Sequence, residues 1–339
     1  MAGAGLARDG ALELEVADAR EEAPLVRSIV LRRPDGAPLP GFAPGAHVPV
    51  WIEGVAGHRF YSLVNLDPAA AFAPELGAYH IAVRRDEGGA GGSRAAHALR
   101  AGDRVRVGPP RDEFPLPGAP APVLLVAGGI GVTPLLSMAA ALRAAGRPFR
   151  AAYAARSRAH HAFAPALRAL AGEGRLLLHA DDEAGRPLDL AALLAGTEPG
   201  AVACVCGPAP MIAAVRGEAA RRGWAPERVR SESFAAHAPA ATDGFEDAGG
   251  DRAFEVELRR SGRVFAVPPG RTILDVLLDA GEDPLHDCRR GDCGVCQCAV
   301  LEGEPDHRDL VLSEAERAGG QVIQICVSRA RSPRLVLDL

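Results

Sequence analysis

The stretch HDCRRGDCGVCQC, residues 286–298, places four of the chain's seven cysteines within thirteen positions. Cys288, Cys293 and Cys296 are spaced C-x4-C-x2-C, and Cys326 stands thirty positions beyond Cys296 in a strand-like run. Four thiolates in that pattern are what holds a plant-type 2Fe-2S cluster. Gly291 and Gly294 fit the same reading, because a tight loop must turn backbone N–H groups toward the bridging sulfides. A zinc ribbon would want a second C-x2-C or Cys/His pair. A Rieske centre would want two ligand histidines, and His286 and His307 lack the spacing. Cys298 and Cys204 read as packing thiols.

Outward from this loop, the chain of 339 residues has room for two or three domains. A net charge of −5, with Arg scattered among Asp and Glu, leaves no basic stripe for nucleic acid. No apolar run reaches the ~18 residues of a membrane span, and MAGAGLARDG has no signal-peptide pattern. An odd, crowded cysteine set is poor disulfide architecture, which points to a reducing cytoplasm.

Three segments with different grammar follow. Residues 10–117 carry short β-rich runs (LELEV, HVPVWIE, FYSLVN, YHIAV, DRVRVGPP) between Gly and Pro turns, as in an antiparallel barrel or sandwich. Residues 118–235 alternate strand and helix, which implies a parallel sheet covered on both faces. Residues 236–251, rich in Ala, Gly, Pro and acid, read as a linker. Residues 252–339 open with two strands, FEVELRRSGRVFAVPPG. The helix TILDVLLDAG follows, with Thr272 and Asp275 as a capping box and Gly281 as its stop.

Two glycine-rich places and one aromatic strand suggest ligands. In RFYS, Arg59 to Ser62, a Tyr and a Ser beside an Arg on a barrel strand suit a flavin ring and its phosphate. The loop GGAGGSRAAH, residues 88–97, makes an anion nest ahead of a helix. GGIGVTP, residues 128–134, follows the strand VLLVA, with Thr133 read as N-cap and Pro134 at N1. The turn CGP, Cys206 to Pro208, ends the domain's fourth strand on the same rim, where parallel sheets bind nucleotides.

The chain resembles the phthalate dioxygenase reductase and vanillate O-demethylase reductase family over essentially its whole length. RFYSLVN, YHIAVRRD, GGSRAAH, PPRDEFPL, LLVAGGIGVTPLLSM, CVCGPAPM, SESF, the cysteine loop and DHRDLVLSE…CVSRA…LVLDL carry the likeness. The resemblance implies a multidomain chain: an antiparallel β-barrel flavin domain, an α/β nicotinamide-binding domain and an α+β ferredoxin domain of β-grasp fold. It implies FMN held by Arg59 and Phe60, by Ala82, Val83 and Arg84, and by Ala90, Gly91, Gly92 and Ser93. Tyr61 and Ser62 join them from the strand itself, and Thr133 and Phe234 reach the flavin from the second domain. NADH lies over Gly128, Gly129, Gly131, Thr133, Cys206, Gly207 and Pro208, and the cluster on Cys288, Cys293, Cys296 and Cys326.

A nicotinamide gives two electrons as hydride and the cluster takes one, so a flavin must stand between them. The expected activity is that of an NADH-dependent reductase feeding a terminal oxygenase or its ferredoxin, in the cytoplasm, as a monomer. The alternative is a redox carrier or sensor. Two departures stand out. Arg289 and Arg290 follow the first cysteine, where their charge would raise the cluster potential or dock an acidic partner. Arg156 and Arg158 follow the second parallel strand and keep NADPH open, since Arg accepts a 2′-phosphate.

Overall fold

The computed structural model of the chain describes residues 10–55, 58–87, 91–118, 121–234, 252–286, 291, 296–309, 312 and 314–339. It divides into two compact units, Met1–Phe234 and Ala235–Leu339. The predicted linker lies outside the described residues, as do Ala90, Cys288, Arg289, Arg290 and Cys293.

The first unit begins with six antiparallel strands: β1 (Leu12–Ala23), β2 (Val26–Arg32), β3 (His47–Trp51), β4 (Arg59–Ser62), β5 (Tyr79–Arg84) and β6 (Arg104–Val107). Their order is β4-β3-β6-β1-β2-β5. A bridge from Leu63 to Ile81, with the Val64 N–H donating to the His80 carbonyl at 2.8 Å, brings the two edges together into a barrel. Leu14, Val16, Ile29, Leu31, Val48, Val50, Ile81 and Val105 fill its interior. Closure removes exposed strand edges, which would otherwise template aggregation.

Five parallel strands follow: β7 (Val123–Gly128), β8 (Phe149–Ala155), β9 (Leu176–Ala180), β10 (Val202–Cys206) and β11 (Val229–Glu232), in the order β9-β8-β7-β10-β11. The first and fourth strands of the domain are neighbours, so the strand order reverses between them; ligands bind such sheets at that switch point. The first two residues of SESF end β11, paired in parallel with β10 from Ala203↔Val229 to Cys206↔Glu232. The helix Val132–Ala144 is mostly apolar and buried from Val132 to Leu142, because sheet and barrel cover opposite sides of it. Gly131, in right-handed helical backbone (φ −61°), is its N-cap, so Thr133 lies inside the first turn rather than capping it. The turn Gly129–Gly131 runs straight into the helix. Pro134 is tolerated there because first-turn N–H groups have no intrahelical partner.

The second unit is a mixed sheet of β12 (Phe254–Leu258), β13 (Val264–Val267), β14 (Gln297–Glu302), β15 (Val322–Gln324) and β16 (Arg334–Leu337), ordered β13-β12-β16-β14-β15. The helix Ile273–Asp279 packs Ile273, Leu274 and Leu277 onto it. Thr272 caps that helix, its hydroxyl accepting from the Asp275 N–H at 3.1 Å, and Gly281 follows in the left-handed region at φ 80°. Among the described residues, no helix is long and apolar enough to cross a membrane.

Candidate active site

Three of the sequence motifs converge on one rim of the first unit. GGIG follows β7 and CGP follows β10, and the two turns touch. A Cβ at Gly128 would stand 2.7 Å from both Met211 Sδ and Pro208 Cδ. A Cβ at Gly131 would stand 2.1 Å from the Cys206 carbonyl oxygen. These glycines are glycines because two backbones pass at contact distance. A nucleotide laid on the rim would therefore meet main chain, with Thr133 and Cys206 buried beneath it.

β4 supplies the aromatic strand. Tyr61 is packed in the barrel wall, where burial pushes its hydroxyl up to about 12 despite the pull of Arg59, so it stays a donor at neutral pH. Ser62 is 3% exposed and its hydroxyl has no hydrogen-bond partner among the described residues. Arg59 lies across the start of the helix Gly92–Ala98, so close that a Cβ at Gly92 would meet its Nε at 2.7 Å. Gly91 ahead of it sits in the left-handed region at φ 88°. A guanidinium side chain beside the start of a helix is the chemistry of a phosphate seat. Ser93 is engaged elsewhere: its hydroxyl accepts from the Asp86 N–H at 3.0 Å, fixing the loop. Ala82 and Val83 are buried and Arg84 exposed on β5. Phe234 packs against the core that holds Val132, Leu135 and Cys206.

His47, on β3, was not singled out by sequence reasoning. It pairs in register with Ser62 and stacks edge-on to Phe60 at 5.0 Å. Its ring lies between two carboxylates, Glu113 Oε1 at 3.5 Å and Glu232 Oε1 at 3.4 Å. Burial opposes its charge, but the two carboxylates outweigh burial and carry its pKa up to about 9. Glu113 and Glu232 fall in the PPRDEFPL and SESF motifs, but the three residues come from distant parts of the chain, so no local pattern joins either glutamate to His47.

The second unit holds the described half of the cysteine constellation. Cys296 and Cys326 are 2% and 4% exposed in its core. Cys326 was expected on a strand and instead follows β15 in a turn, closed by the Ser328 N–H donating to the Gln324 carbonyl at 3.0 Å. Ending the ladder there frees the loop from strand geometry. Gly291 is required twice over: its φ is 76°, and a Cβ would lie 2.5 Å from Val327 Cγ2. DHRD braces this region as a turn held by side chains: buried Asp309 accepts from the Leu312 N–H at 2.8 Å and from the Ser328 hydroxyl at 3.4 Å. Gln324, fully buried, places its amide 3.4 Å from Cys296 Sγ and 2.9 Å from the Gln297 side chain. Cys298 contacts the Cys296 carbonyl, and burial pushes its thiol up to about 12, as it does for Cys204. Both are packing thiols.

A barrel with an aromatic phosphate-seat strand, a parallel sheet with a glycine rim and a cysteine-loop unit together define a flavin- and iron–sulfur-dependent nicotinamide oxidoreductase. Residues 125–217 match the oxidoreductase NAD-binding domain family and residues 256–331 the 2Fe-2S iron-sulfur cluster binding domain family. The chain is 38% identical over 334 residues to phthalate dioxygenase reductase of Burkholderia cepacia, covering 98% of each. It is also 38% identical to vanillate O-demethylase oxidoreductase of a Pseudomonas strain, over 97% of this chain and all of that one. The solved structure of a phthalate dioxygenase reductase superposes with a TM-score of 0.68 at 38% identity, covering 98% of each chain. An intact type IV self-sufficient monooxygenase gives a TM-score of 0.71 at 35% identity, over 97% of this chain but 41% of that longer one. The chain belongs to the family of phthalate dioxygenase reductase and vanillate O-demethylase oxidoreductase. It is an oxidoreductase that passes electrons from NADH through FMN to a 2Fe-2S cluster.

Proposed function

We propose that this protein is the reductase component of a two-component Rieske-type oxygenase or demethylase. In this reading it acts in the cytoplasm as a monomer and delivers electrons one at a time to the terminal oxygenase or its ferredoxin. The observation that carries it is the meeting of the GGIG and CGP turns at the switch point of a sheet that shares a core with the barrel. Relatives of nearly the same length are reductase subunits of such systems, among them a carnitine monooxygenase reductase subunit of Escherichia coli at 39% identity.

The domains in this reading are 10–117 for FMN, 118–235 for NADH and 252–339 for the cluster. FMN sits against Arg59, Phe60, Tyr61 and Ser62, the backbone of Ala82 to Arg84 and the loop from Ala90 to Ser93, with Phe234 beside it. NADH crosses Gly128 to Thr133 and Cys206 to Pro208. Cys288, Cys293, Cys296 and Cys326 hold the iron. When bound, the flavin supplies the exchange between a two-electron donor and a one-electron acceptor. The protein's own residues need no general base: glycines set the approach of the nucleotide, Arg59 fixes the phosphate, and the buried barrel wall excludes water. Orphan polar atoms such as the Ser62 hydroxyl are suited to a heteroaromatic ring edge.

For the nucleotide, the Arg158 guanidinium is bonded to Glu183 at 2.5 Å, and the Asp182 N–H donates to the Arg156 carbonyl at 3.0 Å. Asp181, Asp182 and Glu183 thus oppose a 2′-phosphate, which favours NADH over NADPH. The test is anaerobic titration of purified protein with NADH, with released flavin identified by chromatography. About one FMN and one cluster bleaching together is the expected result. Coloured protein that neither nucleotide reduces would overturn the reading.

A further inference from the structure

One place in the first unit gathers buried charge that the electron-transfer scheme does not use. His47 is 2% exposed, Glu232 5% and the Glu113 side chain 12%. The three belong to different parts of the unit: His47 to the barrel strand β3, Glu113 to the PPRDEFPL segment that leaves the barrel, and Glu232 to the last position of β11. The other charged groups around the ring are Arg111, His58 and Asp112. Arg111 exchanges backbone hydrogen bonds with His47 and sets its guanidinium over Phe60 at 5.2 Å. His58 stands edge-on to the same ring at 4.8 Å. Asp112 is raised by burial, with His47 drawing it down.

We propose that His47 is a positioning residue for hydride transfer, holding Glu232 of the nicotinamide sheet against the FMN strand of the barrel as an imidazolium clamped between two carboxylates. The assignment rests on the reading above that FMN lies on β4. The geometry accounts for each part. His47 faces Ser62 across the β3–β4 ladder and touches Phe60, so it is anchored to the strand that carries Arg59 to Ser62. Glu232 is followed directly by Ser233 and Phe234, so whatever fixes Glu232 fixes the residue that meets the ring from the other domain. The contacts at 3.4 and 3.5 Å are ion pairs rather than well-aligned hydrogen bonds, and the second oxygen of Glu232 is buried with no hydrogen-bond partner among the described residues. With a neutral ring, the Glu232 carboxylate would lose the charge that His47 sets beside it, and the end of β11 would be held less firmly. The known cofactor chemistry needs the two rings at contact distance, and a displacement of 1 Å costs about 100-fold in rate.

The clamp also sets a pH range. Its positive charge is carried up to about pH 9, so positioning is intact at neutral pH and is lost as pH rises through that value. The experiment uses the full-length protein with its cofactors. Nuclear magnetic resonance of ¹³C-labelled histidine follows the His47 ring, assigned by its disappearance in His47→Gln. Stopped-flow absorbance measures bleaching of bound flavin by NADH from pH 6 to 10. We expect His47 to titrate well above the ordinary histidine range, and Glu232→Gln to bring it down toward that range. Both variants should keep FMN, counted by release and chromatography, while the bleaching rate falls about 100-fold. The alkaline decline of the rate should vanish in His47→Gln. A His47 ring that is neutral at pH 7, or variants that bleach at the wild-type rate, overturns the proposal. If His47→Gln does not fold, the histidine signal that moves in Glu232→Gln identifies the ring, and its titration in wild type decides the proposal. Absence of bound FMN from wild type would instead overturn the functional reading.

Discussion

At the scale of single residues, contact distances decide more than chemical type. Gly131→Ala drives a methyl onto the Cys206 carbonyl oxygen, which is main chain and has nowhere to go. NADH affinity should fall at least about tenfold while the flavin spectrum is retained, and the bleaching titration reads both. Gln324 presents a second case. In the proposed cluster Cys296 would bind iron as a thiolate with no proton to give, so a carbonyl oxygen 3.4 Å from its sulfur would be the wrong end of the amide. Turning the amides of Gln324 and Gln297 over restores a consistent chain, with Gln324 donating to the Cys296 sulfur and accepting from Gln297. Donors to cluster sulfurs raise the reduction potential. Gln324→Leu should therefore lower the cluster potential in an electron paramagnetic resonance redox titration, with an unchanged potential counting against the donor. The C-x4-C-x2-C spacing was legible because ligand geometry is local in sequence. His47 with Glu113 and Glu232 was not, since the contacts join residues 47, 113 and 232.

At the scale of elements, strands announced themselves where one face was buried and the other wet. LELEV alternates, and Leu14 and Val16 point inward while Glu13 and Glu15 do not. VRSIVLR, which became β2, escaped notice because Ser28 and Ile29 are buried side by side and blur the period. VRSE escaped because charged residues are poor strand markers, although Glu232 is buried by His47. The four-residue helix Asp181–Ala184 was also unread, being too short to show a period. It carries a prediction of its own. Glu183→Ala releases the Arg158 guanidinium, and Asp182→Ser with it removes a second opposing charge. The double variant should raise kcat/KM with NADPH by about tenfold or more, measured by flavin bleaching, with NADH little changed. Thr272→Ala removes the cap of the helix Ile273–Asp279 and should cost about 1 kcal/mol in chemical denaturation of the second unit.

At the scale of the whole molecule, stability should depend on pH differently in the two units. The folded-state pKa of His47 lies above the ordinary 6.5, so the stability it adds to the first unit is full below that value. It is lost as pH rises through about 9, for a total of about 3 kcal/mol. Calorimetry of wild type between pH 6 and 10 should show the transition of Met1–Phe234 falling through this window, and His47→Gln should flatten the fall. The transition of Ala235–Leu339 should not follow it, since that unit has its own core. Leu136→Ala tests the same division from inside. Leu136 is wholly buried in the helix that barrel and sheet share, so its loss should cost about 2–5 kcal/mol in the first transition alone.

That shared helix also says where this chain tolerates rearrangement. Phe114, Val64 and Ala82 of the barrel side belong to the same apolar cluster as Leu135, Met138 and Leu142 of the helix. Cutting between barrel and sheet would strand an oily face on each half. The second unit has an apolar cluster of its own, whose described residues all lie between Phe254 and Leu339. Exchanging residues 252–339 would leave every residue of the first unit's apolar clusters in place. A chain so divided keeps the core of its fuel inlet when its electron outlet is changed.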